Sequence, residues 1–223
     1  MLIVLVRHGR TYANALMALD TARPGLPLTE EGLAQASRLA ERWESEVAPA
    51  PSVVAVSPLT RTRQTAAPLC ARFGVEPMIR PGLRELRSGD LEMNDDLLSD
   101  LGYHTTVGTW SCGGTGTRMG GGETGDEARA RALPVVREVG RLVRERAGEE
   151  GVGALIAHGA LIRLLASTLA DNIDGGLVMR HFMGNTGTVV LRWPRGLDPE
   201  GLEGLVGALH ALTWNDRPVG DWT

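Results

Sequence analysis

Three stretches of the chain are apolar without a break. Leu2-Ile3-Val4-Leu5-Val6, Val53-Val54-Ala55-Val56 (entered through Pro51-Ser52) and Gly153-Ala154-Leu155-Ile156-Ala157 lack the alternation of a half-exposed strand. They predict strands covered on both faces in a parallel or mixed sheet. Each run ends in a polar, small-residue turn and leads, directly or after a loop, into a helical stretch, which is the layering of an α/β domain.

The helices have their own punctuation. Thr29 predicts a cap for a helix whose first turn carries Glu30 and Glu31, with Leu33, Ala36, Leu39, Ala40 and Trp43 as its apolar face. Ser57-Pro58 reads as an N-cap followed by proline at the first helical position, opening a helix to about Phe73. Further helices are expected at about Asp126–Ala147 and Leu161–Ala170. Thr188–Trp193 and Leu209–Trp214 read as strands, joined by a turn-rich stretch containing Leu197-Asp198-Pro199-Glu200-Gly201. Between Gly108 and Gly125 lie eight glycines, without the leading strand or the G-x-G-x-x-G spacing of a dinucleotide loop. The expectation there is a mobile loop near a site.

Composition narrows the chemistry. The chain has 223 residues, a length suited to one domain, and all 23 basic side chains are arginine. Without lysine there is no Schiff base, no lysine-bearing phosphate loop and no kinase-type strand lysine. Any anion falls to arginine, histidine, backbone N–H groups or a metal. A net charge of −4 disfavours nucleic acid or an anionic membrane as partner. The opening apolar run stops at Arg7, too short for a membrane span and without the flanks of a signal peptide. A soluble cytoplasmic protein is expected, and the all-arginine composition points to a GC-rich bacterial source. Cys70 and Cys112 suggest neither a disulfide framework nor a zinc site, but a core and a loop cysteine.

The candidate chemistry sits at strand ends. Arg7-His8-Gly9-Arg10-Thr11 follows the first run and His158-Gly159-Ala160 the third. Ligands of open α/β sheets bind beyond the carboxyl ends of the strands, so both imidazoles can share a pocket. The glycine after each histidine permits a sharp turn with exposed backbone N–H groups. Arg61, early in the helix after the second run, adds a guanidinium near a helix N-terminus. Two arginines and two histidines suit phosphoryl transfer, with a neutral imidazole as nucleophile and guanidinium groups on the phosphate oxygens. Glu85 is the candidate proton donor, with Glu92 and Glu123 as competitors. His104, His181 and His210 lack these contexts and read as surface or structural residues, although Gly184-Asn185-Thr186-Gly187 after His181 could approach the pocket. Arg63, Arg84 and Arg87 read as solvated charges, and Trp43, Trp193 and Trp214 as core or interface residues.

Arg7-His8-Gly9 with Thr11 and Asn14, Pro27-Leu28-Thr29-Glu30 with Gly32 and Gln35-Ala36, Ser57-Pro58-Leu59 with Arg61 and Gln64-Thr65-Ala66, Leu83 with Glu85, Gly121-Gly122-Glu123, and His158-Gly159 occur in one order. Together they resemble the histidine phosphatase superfamily, the group that includes cofactor-dependent phosphoglycerate mutases, over roughly residues 1–192. The resemblance implies a three-layer α/β/α sandwich with a mostly parallel central sheet, formed by a single domain over residues 1–223 with a glycine-rich cap at about 94–125. It implies His8 as the phosphorylated nucleophile, Arg7, Arg61 and His158 as the phosphate pocket, and Glu85 as acid/base. Thr11 and Asn14 would lie near the substrate, Arg10 and Gly159 join them as candidate contacts, and no metal or cofactor is required.

Three departures bear on substrate. Position 10 is Arg where many members carry Glu or Gln, Gly89-Asp90-Leu91-Glu92-Met93-Asn94 stands where many have G-D-W-E-G, and the insertion offers only Arg118 in place of an Arg-Arg pair with a lysine. The leading expectation is therefore a phosphomonoesterase of histidine acid phosphatase type acting on a small phosphorylated metabolite. A phosphoglycerate mutase-type phosphomutase and a non-catalytic phospholigand-binding protein are the alternatives. A homodimer through an edge strand is left open.

Overall fold

The computed structural model describes residues 1–198 and 201–222. Pro199 and Glu200, within the expected turn-rich stretch, lie outside the described residues. In chain order the elements are β1 (Leu2–Arg7), α1 (Tyr12–Leu16), α2 (Glu30–Arg42), β2 (Val53–Val56), α3 (Thr60–Phe73), β3 (Met78–Ile79), α4 (Leu97–Ser111), α5 (Gly125–Ala147), β4 (Val152–Ala157), α6 (Gly159–Leu169), α7 (Gly175–Arg180), β5 (Thr188–Arg192), β6 (His210–Ala211), β7 (Thr213–Trp214) and β8 (Arg217–Pro218).

The first six-stranded sheet runs in the order β3-β2-β4-β1-β5-β6, and a small β7-β8 hairpin stands apart. β3, β2, β4 and β1 are mutually parallel, β5 runs antiparallel to β1, and β6 runs antiparallel to β5. The apolar runs explain the layers. In β1, Ile3 and Leu5 face one core with residues of α4, α5 and α6, and Val4 and Val6 face the other with residues of α2 and α3. All four are fully buried, each contributing roughly 1.5–3 kcal/mol of apolar transfer. Burial on both faces is what removed the alternation from the sequence.

Several expected boundaries shift. Ser57 does not cap α3, which starts at Thr60 after an extended Leu59; the Ser57 hydroxyl is held by His158 instead. Leu33 is exposed, outside the buried stripe of Ala36, Leu39 and Ala40. The Leu209–Trp214 strand divides, because β6 pairs with β5 and β7 with β8.

The largest correction concerns the 94–125 segment. Its first half is the helix α4, capped by Asp96 and packed on α6 and α7 through Tyr103, Val107 and Trp110. Gly108 serves that packing: a Cβ there would meet the Met179 sulfur at 2.3 Å. It is a close-approach glycine inside a helix, not a loop glycine. Gly120, Gly121 and Gly122 turn beside the buried Met119, away from the cavity described below, and Gly125 opens α5 against Trp110.

Close backbone crossing also sets the site loop. The chain after β1 crosses the first turn of α2, where a Cβ on Gly32 would lie 2.1 Å from the Arg10 carbonyl oxygen and one on Gly9 2.6 Å from that of Gly32. Neither obstacle is a flexible side-chain end. Gly32→Ala should cost at least about 1–3 kcal/mol through overpacking, read by urea denaturation, and should displace the Arg7–Arg10 loop.

Candidate active site

A cavity of about 430 Å³ opens beyond the carboxyl ends of β1, β2 and β4. Arg7, His8, Arg10, Thr11, Asn14, Arg61, Glu85 and Gly159 line it, so most of the residues expected from the sequence converge. His158 lies directly behind, fully buried, with its ring centroid 5.3 Å from that of His8. The convergence follows from strand register: Arg7 pairs with Ala157, and the His8 N–H donates to the Ala157 carbonyl at 3.1 Å.

The His8 ring is oriented by its own loop. Nδ1 lies 2.7 Å from the Gly9 carbonyl oxygen, which can only accept, so Nδ1 carries the hydrogen and Nε2 keeps its lone pair. Burial first, and then the Arg61 and Arg7 charges, hold His8 well below the ordinary imidazole range. It is a neutral base with a free nitrogen. His158 is held down in the same way by burial, then by Arg61 and His8. Its Nε2 lies 2.8 Å from Ser57 Oγ.

Around these rings the cations are short of partners. Arg7 donates through Nη1 to the Met183 carbonyl, and Arg61 through Nη1 to the Asp20 carboxylate at 3.1 Å and through Nη2 to its carbonyl at 2.8 Å. Arg7 Nε, Arg61 Nε and His158 Nδ1 are buried without a hydrogen-bond partner. Unsatisfied buried polar groups are costly, and three of them on residues around the neutral His8 ring suit an anion. Gly159 keeps room for it, since a Cβ there would stand 3.2 Å from Arg7 Nε.

The three candidate carboxylates separate by environment. Glu92 accepts from the Thr21 and Ala22 N–H groups at 2.8 Å and from the Ser88 and Thr21 hydroxyls. Burial works against its charge, but these bonds prevail and hold it below the usual range. Burial likewise opposes the charge on Glu123, and Arg131 prevails through a two-bond clamp at 2.7 and 2.9 Å. Both are structural ties outside the cavity lining. Glu85 lines the cavity and accepts from the Leu86 and Leu161 N–H groups at 2.9 Å and from Ala160 at 3.3 Å, at the start of α6. Arg131 also donates to the carbonyls of Gly82, Arg84 and Glu85, fixing that segment from behind.

The remaining expected contacts are tied in place. Thr11 and Asn14 form a reciprocal capping box at α1, and Asn14 Oδ1 also accepts from Asn185, whose amide reaches the His8 carbonyl. Arg10 reaches the mouth but is paired with Glu31 at 2.9 Å, both half-exposed.

Several lining residues escaped the sequence reading: Asp20, Tyr103, Arg163 and Phe182. His104, read as surface or structural, lines the cavity as well. For Arg163 a signal existed, a lone charge within the apolar run Leu161–Ala170. Burial pulls it down to about 10.

Guanidinium nitrogens without partners beside a neutral histidine make a pocket suited to an anion. The chain matches the histidine phosphatase superfamily (branch 1) over residues 3–198 and belongs to that family. It is 31% identical over 231 residues to a PE-PGRS family protein of Mycobacterium tuberculosis, covering 98% of this chain but 37% of that protein, so the chain spans little more than a third of that relative's length. A probable phosphoglycerate mutase of Photorhabdus laumondii is 32% identical over 173 residues, 75% of this chain and 74% of the relative. Among solved structures, a mycobacterial glucosyl-3-phosphoglycerate phosphatase is similar with a TM-score of 0.74 at 25% identity, over 97% of this chain and 99% of that one. The three-layer, mostly parallel fold is shared with it.

Two buried neutral histidines give the fold an acid sensitivity. Below the ordinary value of 6.5 the unfolded chain protonates them while the folded chain does not, so stability falls as pH drops from 6.5 toward their folded values; above 6.5 they contribute no slope. Urea titrations at about pH 7.5 and about pH 5.5 should show a larger loss in the native chain than in His158→Asn.

Proposed function

We propose that the protein is a phosphomonoesterase that releases inorganic phosphate from a small phosphorylated metabolite by way of a phosphohistidine on His8. The observation that carries this reading is the set of unpartnered buried nitrogens, Arg7 Nε, Arg61 Nε and His158 Nδ1, on residues around a neutral His8 with a free Nε2. In the tautomer in which the Ser57 hydroxyl donates to His158 Nε2, the second imidazole presents an N–H at Nδ1.

In the first step His8 Nε2 attacks phosphorus and the ester P–O bond breaks, while the guanidinium groups take up the charge on the equatorial oxygens. Glu85 gives its proton to the departing oxygen. Water then attacks phosphorus, Glu85 removes its proton, and the P–N bond breaks to release phosphate. Arg7, Arg61 and His158 bind the phosphoryl group throughout, and Thr11, Asn14 and Gly159 shape its surroundings. Arg10 acts at the mouth.

Hydrolysis is favoured over mutase chemistry by the position of Arg118. The insertion's arginine is exposed, clamped to Glu127 at 2.7 and 3.0 Å, and absent from the cavity lining. It supplies no second-phosphate cradle. The cytoplasm is the proposed compartment, in keeping with two free cysteines.

A screen of phosphorylated metabolites for phosphate release tests the reading. His8→Ala should abolish both turnover and acid-labile protein-bound phosphate, and intact turnover in that variant would sink the covalent mechanism. Glu85→Gln should lower kcat by about 10²–10⁴-fold with the phosphoenzyme still detectable from an activated aryl ester. Label from the substrate phosphoryl group should appear in inorganic phosphate; retention in an isomeric product would establish a mutase.

A further inference from the structure

Most of the large apolar side chains left exposed among the described residues fall at three places, residues 12–17, residues 93–101 and Phe182. All three border the cavity. Met17 and Phe182 line it themselves, and Asp100 and His104 line it from α4. Positions 97, 100, 101 and 104 follow one another at helical spacings of three and four, so Leu97 and Leu101 share the face of α4 that carries those two lining residues. The His104 and Phe182 rings meet at 5.0 Å. The chain after α1 runs beside the 93–94 segment, with the Leu19 N–H donating to the Asn94 carbonyl and the Met93 N–H to the Leu19 carbonyl, both at 3.0 Å. Met17, Met93, Leu97, Leu101 and Phe182 thus form an apolar collar at the mouth.

The collar is strained as well as exposed. Met17 and Met93 have φ of 57° and 61°, a left-handed conformation that crowds a Cβ and that Gly or Asn adopts more readily. At 71% and 51% exposure, neither methionine offsets that strain by burial, and Leu97 is 79% exposed. Strained backbone and exposed apolar groups gathered at one site point to a ligand. Methionine in particular adapts its shape to the group it meets.

The position of the collar selects its occupant. Met17 and Phe182 belong to the cavity wall, so the group lying on the collar is continuous with the one inside. A second copy of the chain seated there permanently would cover the entrance to His8. Nor does charge compete for the place: Arg10 at the mouth is answered by Glu31 at 2.9 Å, and the Asp100 carboxylate in the lining opposes an anionic body. The mouth therefore favours hydrocarbon over a charged group.

We propose that the collar binds the apolar body of the substrate's alcohol, so that the preferred ester is the phosphate of a hydrocarbon alcohol whose chain leaves the cavity over Met17, Leu101 and Phe182. The proposal rests on the phosphatase reading above and adds the chemical class of the leaving group.

The test compares butyl phosphate with octyl phosphate, each below the concentration at which it aggregates. A methylene taken wholly out of water is worth about fourfold. On a collar that covers one side of the chain about twofold for each is expected, so kcat/KM should rise by about 10–20-fold from butyl to octyl. In Met17→Asn and in Leu97→Gln/Leu101→Gln the octyl-to-butyl ratio should fall by about threefold or more, and the urea midpoint of Met17→Asn should be no lower than native. A native ratio near one overturns the proposal, whether sedimentation then places a second copy on the collar or flotation a phosphatidylcholine vesicle. An unchanged ratio in either variant overturns it as well, and so does an equal loss on both esters with a lowered urea midpoint, which would assign a packing role. If the metabolite screen finds a substrate but neither alkyl ester is hydrolysed, the proposal falls while the phosphatase reading stands. If no ester of any kind is hydrolysed, the phosphatase reading fails on its own, and calorimetric titration of butylphosphonate and octylphosphonate decides the collar. Tighter octyl binding that is lost in Leu97→Gln/Leu101→Gln supports it, and equal binding overturns it.

Discussion

The parallel register of β1 against β4 is the constraint on which the site depends. Arg7 stands opposite Ala157, so the residue after each strand is a histidine and the two rings emerge side by side. A slip of one residue would send the alternate side chains to the other face and separate the imidazoles. Burial of both strand faces prevents that slip, because Val4 and Val6 fill one core while Ile3 and Leu5 fill the other. The apolar runs that make the sheet recognisable also set the geometry of the reactive pair.

Around this frame, carboxylates are distributed so that some cations are neutralised and others are not. Glu123 takes Arg131, and Arg131 in turn grips three carbonyls around Glu85, so an ion pair away from the cavity positions a group within it. Glu92 gathers the chain at Thr21, Ala22 and Ser88. These two acids resemble candidate catalysts in sequence because they occupy motif positions. Their hydrogen bonds show that they serve as supports for the cavity wall.

What was legible in the sequence divides along physical lines. Strands buried on both faces, the Thr29 cap and the strand-end histidines announce themselves through local pattern, and each is found in place. α4 did not, because Gly102 and Gly108 interrupt a helical spacing of Tyr103, Val107 and Trp110, and the reason for Gly108 is a methionine on another helix. Ser57 looked like a cap because its alternative partner, His158, lies 101 positions away. Asp20, Tyr103 and His104 reach the cavity only through tertiary packing. Arg163 was the exception, visible as a charge in an apolar helix yet without a local feature to say what it meets.

Asp20 gives the cavity a resident rival for any incoming anion. Its carboxylate and carbonyl hold one edge of Arg61, and the Leu26 N–H secures the carboxylate at 2.7 Å. The guanidinium is therefore already oriented before a ligand arrives, and little rotamer freedom remains to be lost there. The same pairing limits how tightly Arg61 can grip a guest, since part of its charge is already answered. A departing anion leaves behind a cation that is neither bare nor in need of rehydration. Where product release governs turnover, such an internal counter-ion trades depth of binding for ease of exit.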